Sequence, residues 1–340
     1  MRAYFLRRLL LIPPTLLGVT LLVFCVTRFA PGGPVEQAIL RAQAGETGAG
    51  GGSARGPNRG ALSAGQIEQL KAYYGFDQPV HVAYLHWLGK VLRGDLGSSF
   101  TYGEPVRQVI AQCLPVTLAY GAIGLALVYL ISIPLGILKA VKHRSVADTI
   151  SSVVVFVGYA IPGYALGALL VVFLAARLGW FPMGGFVSEG WGELGWWGRA
   201  KDFSWHAVLP LTCYTLGGFA FVTLLTKNQI MDNLAADHVR TAVAKGVSFR
   251  RAVFSHAFRN SLIPLATDFG QTLGALVIGS ILIESIFDIN GMGLLFYHSI
   301  QSRDAMVVMG VLLVEALMLL AGNIAGDVLV ALADPRVRFK

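Results

Sequence analysis

The chain has 340 residues, of which 55% are hydrophobic and only 14% are charged, whereas a soluble domain carries about a quarter charged residues. Its mean hydropathy is +0.62 and its apolar residues fall in long blocks, which excludes an ordinary soluble protein and indicates a membrane protein. The net charge of +8 does not indicate nucleic-acid binding, because the basic residues cluster beside apolar segments, as topology signals do.

Six apolar segments are long enough to cross a bilayer, since a spanning helix needs about 20 largely apolar residues. The sequence therefore predicts an all-α polytopic membrane protein with six transmembrane helices. The segments are Leu9–Phe29, Val116–Leu138, Ile150–Arg177, Ala207–Thr226, Ile263–Phe287 and Met306–Leu332. We expect the first to remain uncleaved, because it is too long for the apolar core of a signal peptide and lacks a small-residue cleavage site.

The distribution of basic residues predicts that both termini are cytoplasmic. In that orientation the inner segments hold fifteen lysines and arginines, and the shorter outer loops hold three, which agrees with the positive-inside rule. The predicted regions are an N-terminal start with the first helix (1–29), an outer insert (30–112), a core with five helices (113–334) and a cytoplasmic tail (335–340).

The outer insert combines two kinds of sequence. Residues 45–60 are so rich in glycine that they cannot bury enough apolar area to order themselves, which predicts a flexible loop. Ser63 begins a pattern typical of a helix that Gly75 would stop, and Pro79–Leu92 predicts a second short helix.

The sequence contains no motif of an enzyme or an ATPase. Its one Gly-Lys pair, Gly89-Lys90, lacks the spacing of a phosphate-binding loop. The histidines are scattered and the three cysteines have no paired spacing, so no metal site is predicted. We therefore predict that this chain is not an enzyme, holds no cofactor and does not itself hydrolyse ATP.

A few acidic residues lie inside the predicted spans, where such residues usually face a bundle interior or a water-filled cavity. Asp268 and Glu315 are candidates for a translocation path, where they would suit cationic or amine-bearing cargo. The alternative is hydrogen bonding between neighbouring helices, and it is favoured for Glu284 and Asp327, which lie near helix ends. A proton relay is weakly supported, because no histidine or lysine is paired with these acids at the same depth.

The segment 227–262 is basic, helix-prone and outside the predicted spans. Two rows of residues recur at i, i+4 and i+8, which predicts a helix over about 233–246 with a small, apolar face. The rows are Leu234, His238, Ala242 and Ala235, Val239, Val243. Gly246 supplies a helix stop and Ser248 starts a second helix. Such a face lets another protein approach closely, and the alternative is a helix that lies on anionic lipid.

This segment resembles the coupling loop, or EAA loop, of ABC importer permeases. Arg240, Thr241 and Ala242 stand at the Glu-Ala-Ala positions, and Gly246 stands at the glycine of the motif. The resemblance implies that ATPase coupling involves Asp237, Val239, Arg240, Thr241, Ala242, Lys245 and Gly246. Other segments resemble dipeptide and oligopeptide permeases of the B type, namely Ala30–Pro34, Tyr74–Pro79, Arg93–Ser98, Leu114–Leu118, Ile133–Gly136, Glu284–Leu294, Ser302–Asp304 and Asp334–Arg336.

Three features point to the YejB subgroup of that family, which is associated with uptake of peptides and of peptide-nucleotide antibiotics of the microcin C type. They are the glycine-rich stretch 45–60, the Pro-Gly-Gly-Pro sequence that ends at Pro34, and Leu225–Asn228. The resemblance implies a type I ABC importer permease fold in the bacterial inner membrane. It also implies that the chain moves peptides from periplasm to cytoplasm.

The partners implied by the resemblance are a second permease subunit in a heterodimer, a periplasmic peptide-binding protein, and two ATP-binding domains or one fused ATPase. ATP and Mg would be used by those partner subunits, the lipid bilayer is the solvent, and no nucleic acid is involved. The alternatives are the same fold with nickel, glutathione or an exported peptide as cargo, and a stand-alone ion-coupled transporter or channel.

Overall fold

The computed structural model describes residues 2–29, 65, 68–69, 72 and 77–333, and these residues contain helices, turns and one isolated antiparallel bridge between Ser98 and Pro105. In chain order the first helices are α1 (Arg2–Phe29), α2 (Val80–Val91), α3 (Val106–Val141), α4 (Val146–Ala160) and α5 (Gly163–Leu170, continued by the π-helical turn Val171–Arg177). After a 3₁₀ turn (Trp191–Glu193) come α6 (Trp196–Ala235), α7 (Asp237–Ala244) and α8 (Phe249–Arg251, continued by the π-helical turn Ala252–Ala257). The last helices are α9 (Phe258–Ala275), α10 (Ile281–Ile286), α11 (Met292–Gln301) and α12 (Ala305–Ala333), with a 3₁₀ turn (Leu276–Ile278) between α9 and α10.

Four of the described helices are long and apolar enough to cross a membrane, namely α1, α3, α6 and α12. The pair α4 and α5 also qualifies when the two are taken together, although they are bent by 89° at the break between them. The described part of the chain therefore offers four or five candidate spans where the sequence predicts six. Helices α3 and α6 extend beyond the predicted segments, because their polar end turns are helical without being apolar.

The predicted span 150–177 bends sharply at its centre. Ile161 is extended, with φ −88° and ψ 120°, and it directly precedes Pro162. The proline ring disfavours helical backbone in the residue before it, so α4 ends at Ala160. Pro162 is the N-cap residue of α5, which begins at Gly163.

The predicted span 263–287 is also interrupted. Helix α9 ends at Ala275, the 3₁₀ turn follows, and Gly279 then adopts φ +66° before α10 begins. A side chain at Gly279 would be strained at this φ and would also overlap the carboxyl group of Glu284. The segment is therefore two helical pieces and not the single helix that its hydropathy predicts.

The chain divides into two compact units, of which the first comprises residues 1–10, 113–295 and 317–340. One apolar cluster of this unit gathers the buried side chains of Tyr120, Cys213 and Phe287. Helices α9 and α12 cross so closely that a Cβ atom on Gly270 or Gly326 would overlap the backbone of the other glycine. Small residues permit such close crossings between membrane helices.

The second unit comprises residues 11–112 and 296–316. Phe24 of α1, Trp87 of α2 and Met309 of α12 share its apolar cluster. Buried Asp304 accepts hydrogen bonds from Ser99 Oγ at 2.6 Å and from the Thr101 N–H at 2.9 Å, which ties the bridge-containing loop to the start of α12.

Part of the predicted outer insert lies within the described residues. The predicted helix over Pro79–Leu92 is confirmed as α2, with Pro79 as its N-cap residue. The predicted flexible loop 45–60 lies outside the described residues, as do Ser63 and Gly75, which bound the other predicted helix.

Candidate functional site

The predicted coupling segment forms a short helix between two long ones. Helix α6 ends at Ala235, Ala236 is extended with φ −70° and ψ 145°, and α7 runs over Asp237–Ala244. The helix predicted over about 233–246 is thus interrupted, and Leu234 and Ala235 belong to α6. The sequence does not signal this break, because alanine is the best helix former among the amino acids.

Helix α7 ends where the sequence predicts. Gly246 has φ +91°, and its N–H donates to the Val243 carbonyl at 2.9 Å while the Val247 N–H donates to the Ala242 carbonyl at 3.1 Å. This is a glycine-terminated helix end. A Cβ atom at Gly246 would meet nothing within 4 Å, so the backbone conformation and not crowding favours glycine there.

Most of the predicted coupling residues are exposed. Val239 is the exception, because it is 1% exposed and packs inward, and Ala242 is half-buried. The exposed residues are Asp237, Arg240, Thr241, Lys245 and Gly246. The helix therefore presents a mainly charged and polar surface that also exposes Val243, while Val239 packs inward beneath it.

Amide side chains join α9 to α6 and to α7. Asn233, near the end of α6, donates to the Gln229 carbonyl at 2.8 Å and to Ser261 Oγ of α9 at 3.2 Å. Asn260 of α9 lies 3.2 Å from Nε2 of His238 on α7. A force applied to α7 would therefore reach α6 and α9 through direct contacts.

A buried charged cluster joins α3, α4 and α6, and sequence reasoning missed it. Asp148, in the first turn of α4, is 5% exposed. Lys227 of α6 donates to its two carboxylate oxygens at 2.8 and 2.9 Å, and Lys139 of α3 lies 3.1 Å from Oδ1. The Arg144 N–H donates to Oδ2 at 3.1 Å. We call Lys139, Asp148 and Lys227 the charged triad.

Lys139 is the most deeply buried member of the triad, at 1% exposed. Its ammonium group also donates to the Asp148 carbonyl at 3.0 Å, to Ser151 Oγ at 2.9 Å and to Ser152 Oγ at 2.7 Å. A buried charge is tolerated when it is paired and hydrogen-bonded in this way. The sequence does contain a signal for the triad. Asp148 lies just before a predicted span, and Lys139 and Lys227 directly follow the ends of two others.

Asp268 lies on a cavity of about 160 Å³ inside the first unit. The hydroxyl of Tyr129 donates a short hydrogen bond to its carboxylate. The cavity is also lined by Tyr120, Tyr214 and Phe221, so a carboxylate faces a largely apolar space whose walls include aromatic rings. The geometry suits an ammonium or a peptide group more than an inorganic anion.

The other predicted acidic residues have different surroundings. Glu315 is half-buried on α12 and belongs to the second unit, whereas Asp268 belongs to the first. Asp327 forms an ion pair with Arg8, whose guanidinium also donates to the Asn323 carbonyl at 2.9 Å. The structural interpretation favoured for Asp327 is thereby confirmed.

Glu284 is more deeply embedded than its position near a predicted span end indicates. It is 1% exposed, and Oε2 accepts from the Leu294 N–H at 2.7 Å. Oε1 accepts from the Ser280 N–H at 3.3 Å, from Tyr214 of α6 at 3.2 Å and from Thr117 of α3 at 3.3 Å. The carboxyl group thus fastens the irregular chain around α10 to α3 and α6.

Known proteins resemble the whole chain. Residues 132–339 match the family described as "Binding-protein-dependent transport system inner membrane component". The peptidoglycan transport system permease protein YejB of Agrobacterium fabrum is 38% identical and is aligned over 100% of this chain and 99% of its own. The inner membrane ABC transporter permease protein YejB of Escherichia coli O157:H7 is 38% identical, with 100% of each chain covered. The oligopeptide transport system permease protein AppB of Bacillus subtilis is 34% identical, also with 100% of each chain covered.

One solved structure has a similar fold. A chain of the MetNI methionine ABC transporter, in an inward-facing conformation, gives a TM-score of 0.51 at 18% sequence identity. The similarity covers 67% of this chain and 97% of that one.

Proposed function

Because the chain belongs to the family of inner membrane components of binding-protein-dependent transport systems, we propose that it is one permease subunit of an ATP-driven importer that moves peptides from periplasm to cytoplasm. Its relatives are permease subunits of ABC transporters, which are translocation components and not enzymes. The observation that carries the proposal is α7, an exposed, polar helix anchored to long helices on either side.

The cargo is proposed from the relatives and from the cavity at Asp268. One relative is named for peptidoglycan transport and another for oligopeptide transport, so a solute that contains peptide bonds is common to the two. A carboxylate beside aromatic rings suits the ammonium group of such a solute. Peptide-nucleotides of the microcin C type are a narrower proposal, which rests on the resemblance to the YejB subgroup.

The proposed topology has six crossings with both termini in the cytoplasm. The basic residues of the inner segments support this orientation, and the two interrupted segments, 150–177 and 263–287, count as one crossing each. Non-helical backbone at membrane depth is tolerated where it is buried in protein or lines a cavity. Residues 30–112 then lie in the periplasm, and α7 and the tail 335–340 lie in the cytoplasm.

In the proposed mechanism α7 rests in a groove of an ATPase subunit. ATP and Mg bind to that subunit, whose closure moves α7. The contact of Asn260 with His238 passes the movement to α9, and the contact of Asn233 with Ser261 links α9 to α6. The bundle then changes between outward-open and inward-open states. A second permease subunit completes the path, and a periplasmic binding protein delivers the peptide.

The test is Gly246→Trp, which places a bulky side chain on the surface that would contact the ATPase. We expect peptide uptake by vesicles that contain the complete transporter to fall at least about ten-fold, a cost of about 1.4 kcal/mol in coupling. Copurification of the ATPase should fall as well. The matched control is Gly190→Trp, because Gly190 also has a positive φ (+78°) and nothing within 4 Å of its Cβ position, but lies in a predicted outer loop.

Equal loss in the two glycine variants would attribute the effect to backbone strain and not to docking. Unchanged uptake with Gly246→Trp would contradict the coupling role of α7. Solute uptake by vesicles that contain this chain alone, driven by an ion gradient, would contradict the importer and support a stand-alone transporter.

The proposed path residues are tested by the double variant Asp268→Asn with Glu315→Gln. We expect the KM for a cationic peptide to rise several-fold while that for a neutral peptide changes little, because only the cation loses an attractive charge. The control is Asp232→Asn, an exposed carboxylate of α6. Normal kinetics of the double variant would remove these residues from the path.

A further inference from the structure

An apolar groove of about 450 Å³ lies beside the charged triad, between the end of α3 and the beginning of α8. Its lining residues are apolar apart from one arginine. They include Ile137, Leu138, Val141, Phe249, Arg250 and Phe254. Phe249 and Phe254 are half exposed, so the groove opens on the surface of the unit and is not a closed cavity.

The depth of the groove follows from α3. Val141 is the last residue of this candidate span, and Pro134, at the other end of the wall, lies seven residues earlier on the helix. At about 1.5 Å per residue, Pro134 lies roughly 10 Å from Val141 along α3 and about 6 Å inside the predicted span end at Leu138. One side of the groove thus lies at the depth of hydrocarbon, while Arg250 follows the coupling turn outside the span.

The charge around the groove is positive. Neither 134–142 nor 249–254 contains an acidic residue. Lys142, Arg250 and Arg251 are exposed, whereas the nearby carboxylate of Asp148 is already paired with Lys139 and Lys227. The groove therefore joins an apolar wall to one lining arginine, Arg250, and neither of the two segments contains an acidic residue to neutralise it.

We propose that this groove binds an anionic phospholipid of the cytoplasmic leaflet, with an acyl chain on the apolar wall and the headgroup phosphate on Arg250. A soluble partner would not reach the part of the wall that lies at hydrocarbon depth. A helix from another membrane subunit would supply apolar contacts, but it would supply an anion for the guanidinium only if it carried a carboxylate at that position. An anionic lipid supplies the two together, and the cytoplasmic leaflet is the one rich in such lipids.

The proposal is tested by native mass spectrometry of the purified full-length chain. The protein is incubated in neutral detergent with equal amounts of phosphatidylglycerol and phosphatidylcholine that carry the same acyl chains. We expect wild type to retain phosphatidylglycerol in preference, and Arg250→Gln to lower that preference about five-fold, the effect of one basic residue near an anionic lipid. Leu138→Trp, which fills the groove, should lower the retention of the two lipids alike.

The matched control is Arg251→Gln, which removes the same charge from the next residue, outside the groove lining. It should change the lipid preference less than two-fold. An equal effect of Arg250→Gln and Arg251→Gln would show diffuse attraction and overturn the proposal. Unchanged lipid retention in Leu138→Trp would overturn it as well. The readout does not depend on transport, so failure here leaves the proposed import function standing.

Discussion

Asp148 and Glu284 are buried carboxyl groups of the same compact unit, but they are satisfied in different ways. Asp148 lies between the ammonium groups of Lys139 and Lys227. Among residues 77–333, Glu284 has no ion-pair partner, and its oxygens accept hydrogen bonds from two backbone N–H groups and two hydroxyls. The first site depends on charge and the second on the placement of neutral donors.

This difference indicates what each site contributes to the fold. The charged triad ties together α3, α4 and α6 through side chains on regular helices. Glu284 instead stabilises backbone that is not regular, because the N–H groups of Ser280 and Leu294 belong to the chain around the short helix α10. Helix α10 follows Gly279, where the predicted span is interrupted.

The largest effect is expected from Asp148→Asn, which removes the negative charge and keeps the shape. Buried Lys139 and half-buried Lys227 lose their counter-charge, and breaking a buried ion pair from one side costs about 3–5 kcal/mol. The measurement is the free energy of unfolding of the purified chain, obtained by denaturant titration in detergent micelles. The control is Asp95→Asn, because that exposed residue accepts a hydrogen bond from the Gly97 N–H that an amide oxygen can also accept.

A second substitution sharpens the result for Asp148. Adding Lys227→Met to Asp148→Asn removes one of the uncompensated cations, so part of the lost stability should return, as a double-mutant cycle measures. A loss below about 1 kcal/mol for Asp148→Asn, or no recovery in the double variant, would mean that the triad is held by packing and not by charge.

Some features of the fold were predictable from the sequence and others were not. The end of α7 was predictable because Gly246 and Ser248 are local signals that act on their own backbone. The long apolar helices were predictable from composition alone. The break at Ala236 was not, because its residue type favours helix and only the surrounding contacts explain the turn.

The charged triad required knowledge of packing. Lys139 and Lys227 directly follow the ends of different apolar segments, so the sequence presents them as topology signals, and only the juxtaposition of three helices makes them partners of Asp148. Val239 likewise belongs to the coupling motif by resemblance, but its burial depends on how α7 packs. Contacts between side chains on different helices depend on how the helices pack, and the periodicity of the sequence does not encode that packing.

A smaller effect is expected from Glu284→Gln, which tests the other side of the comparison. The new NH₂ group would face the Leu294 N–H that now donates to Oε2, so one hydrogen bond is lost and a donor is left buried, at about 1–3 kcal/mol. No lysine loses a partner, so the free energy of unfolding should fall less than with Asp148→Asn in the same titration. Thr117→Val gives a reference for the loss of a hydroxyl, since Thr117 donates to Oε1 and accepts from the Met292 N–H at 2.7 Å. A loss with Glu284→Gln as large as that with Asp148→Asn would contradict the difference between the two sites, because each substitution turns one acceptor oxygen into a donor and, of the two residues, only Asp148 has ion-pair partners within the described part of the chain.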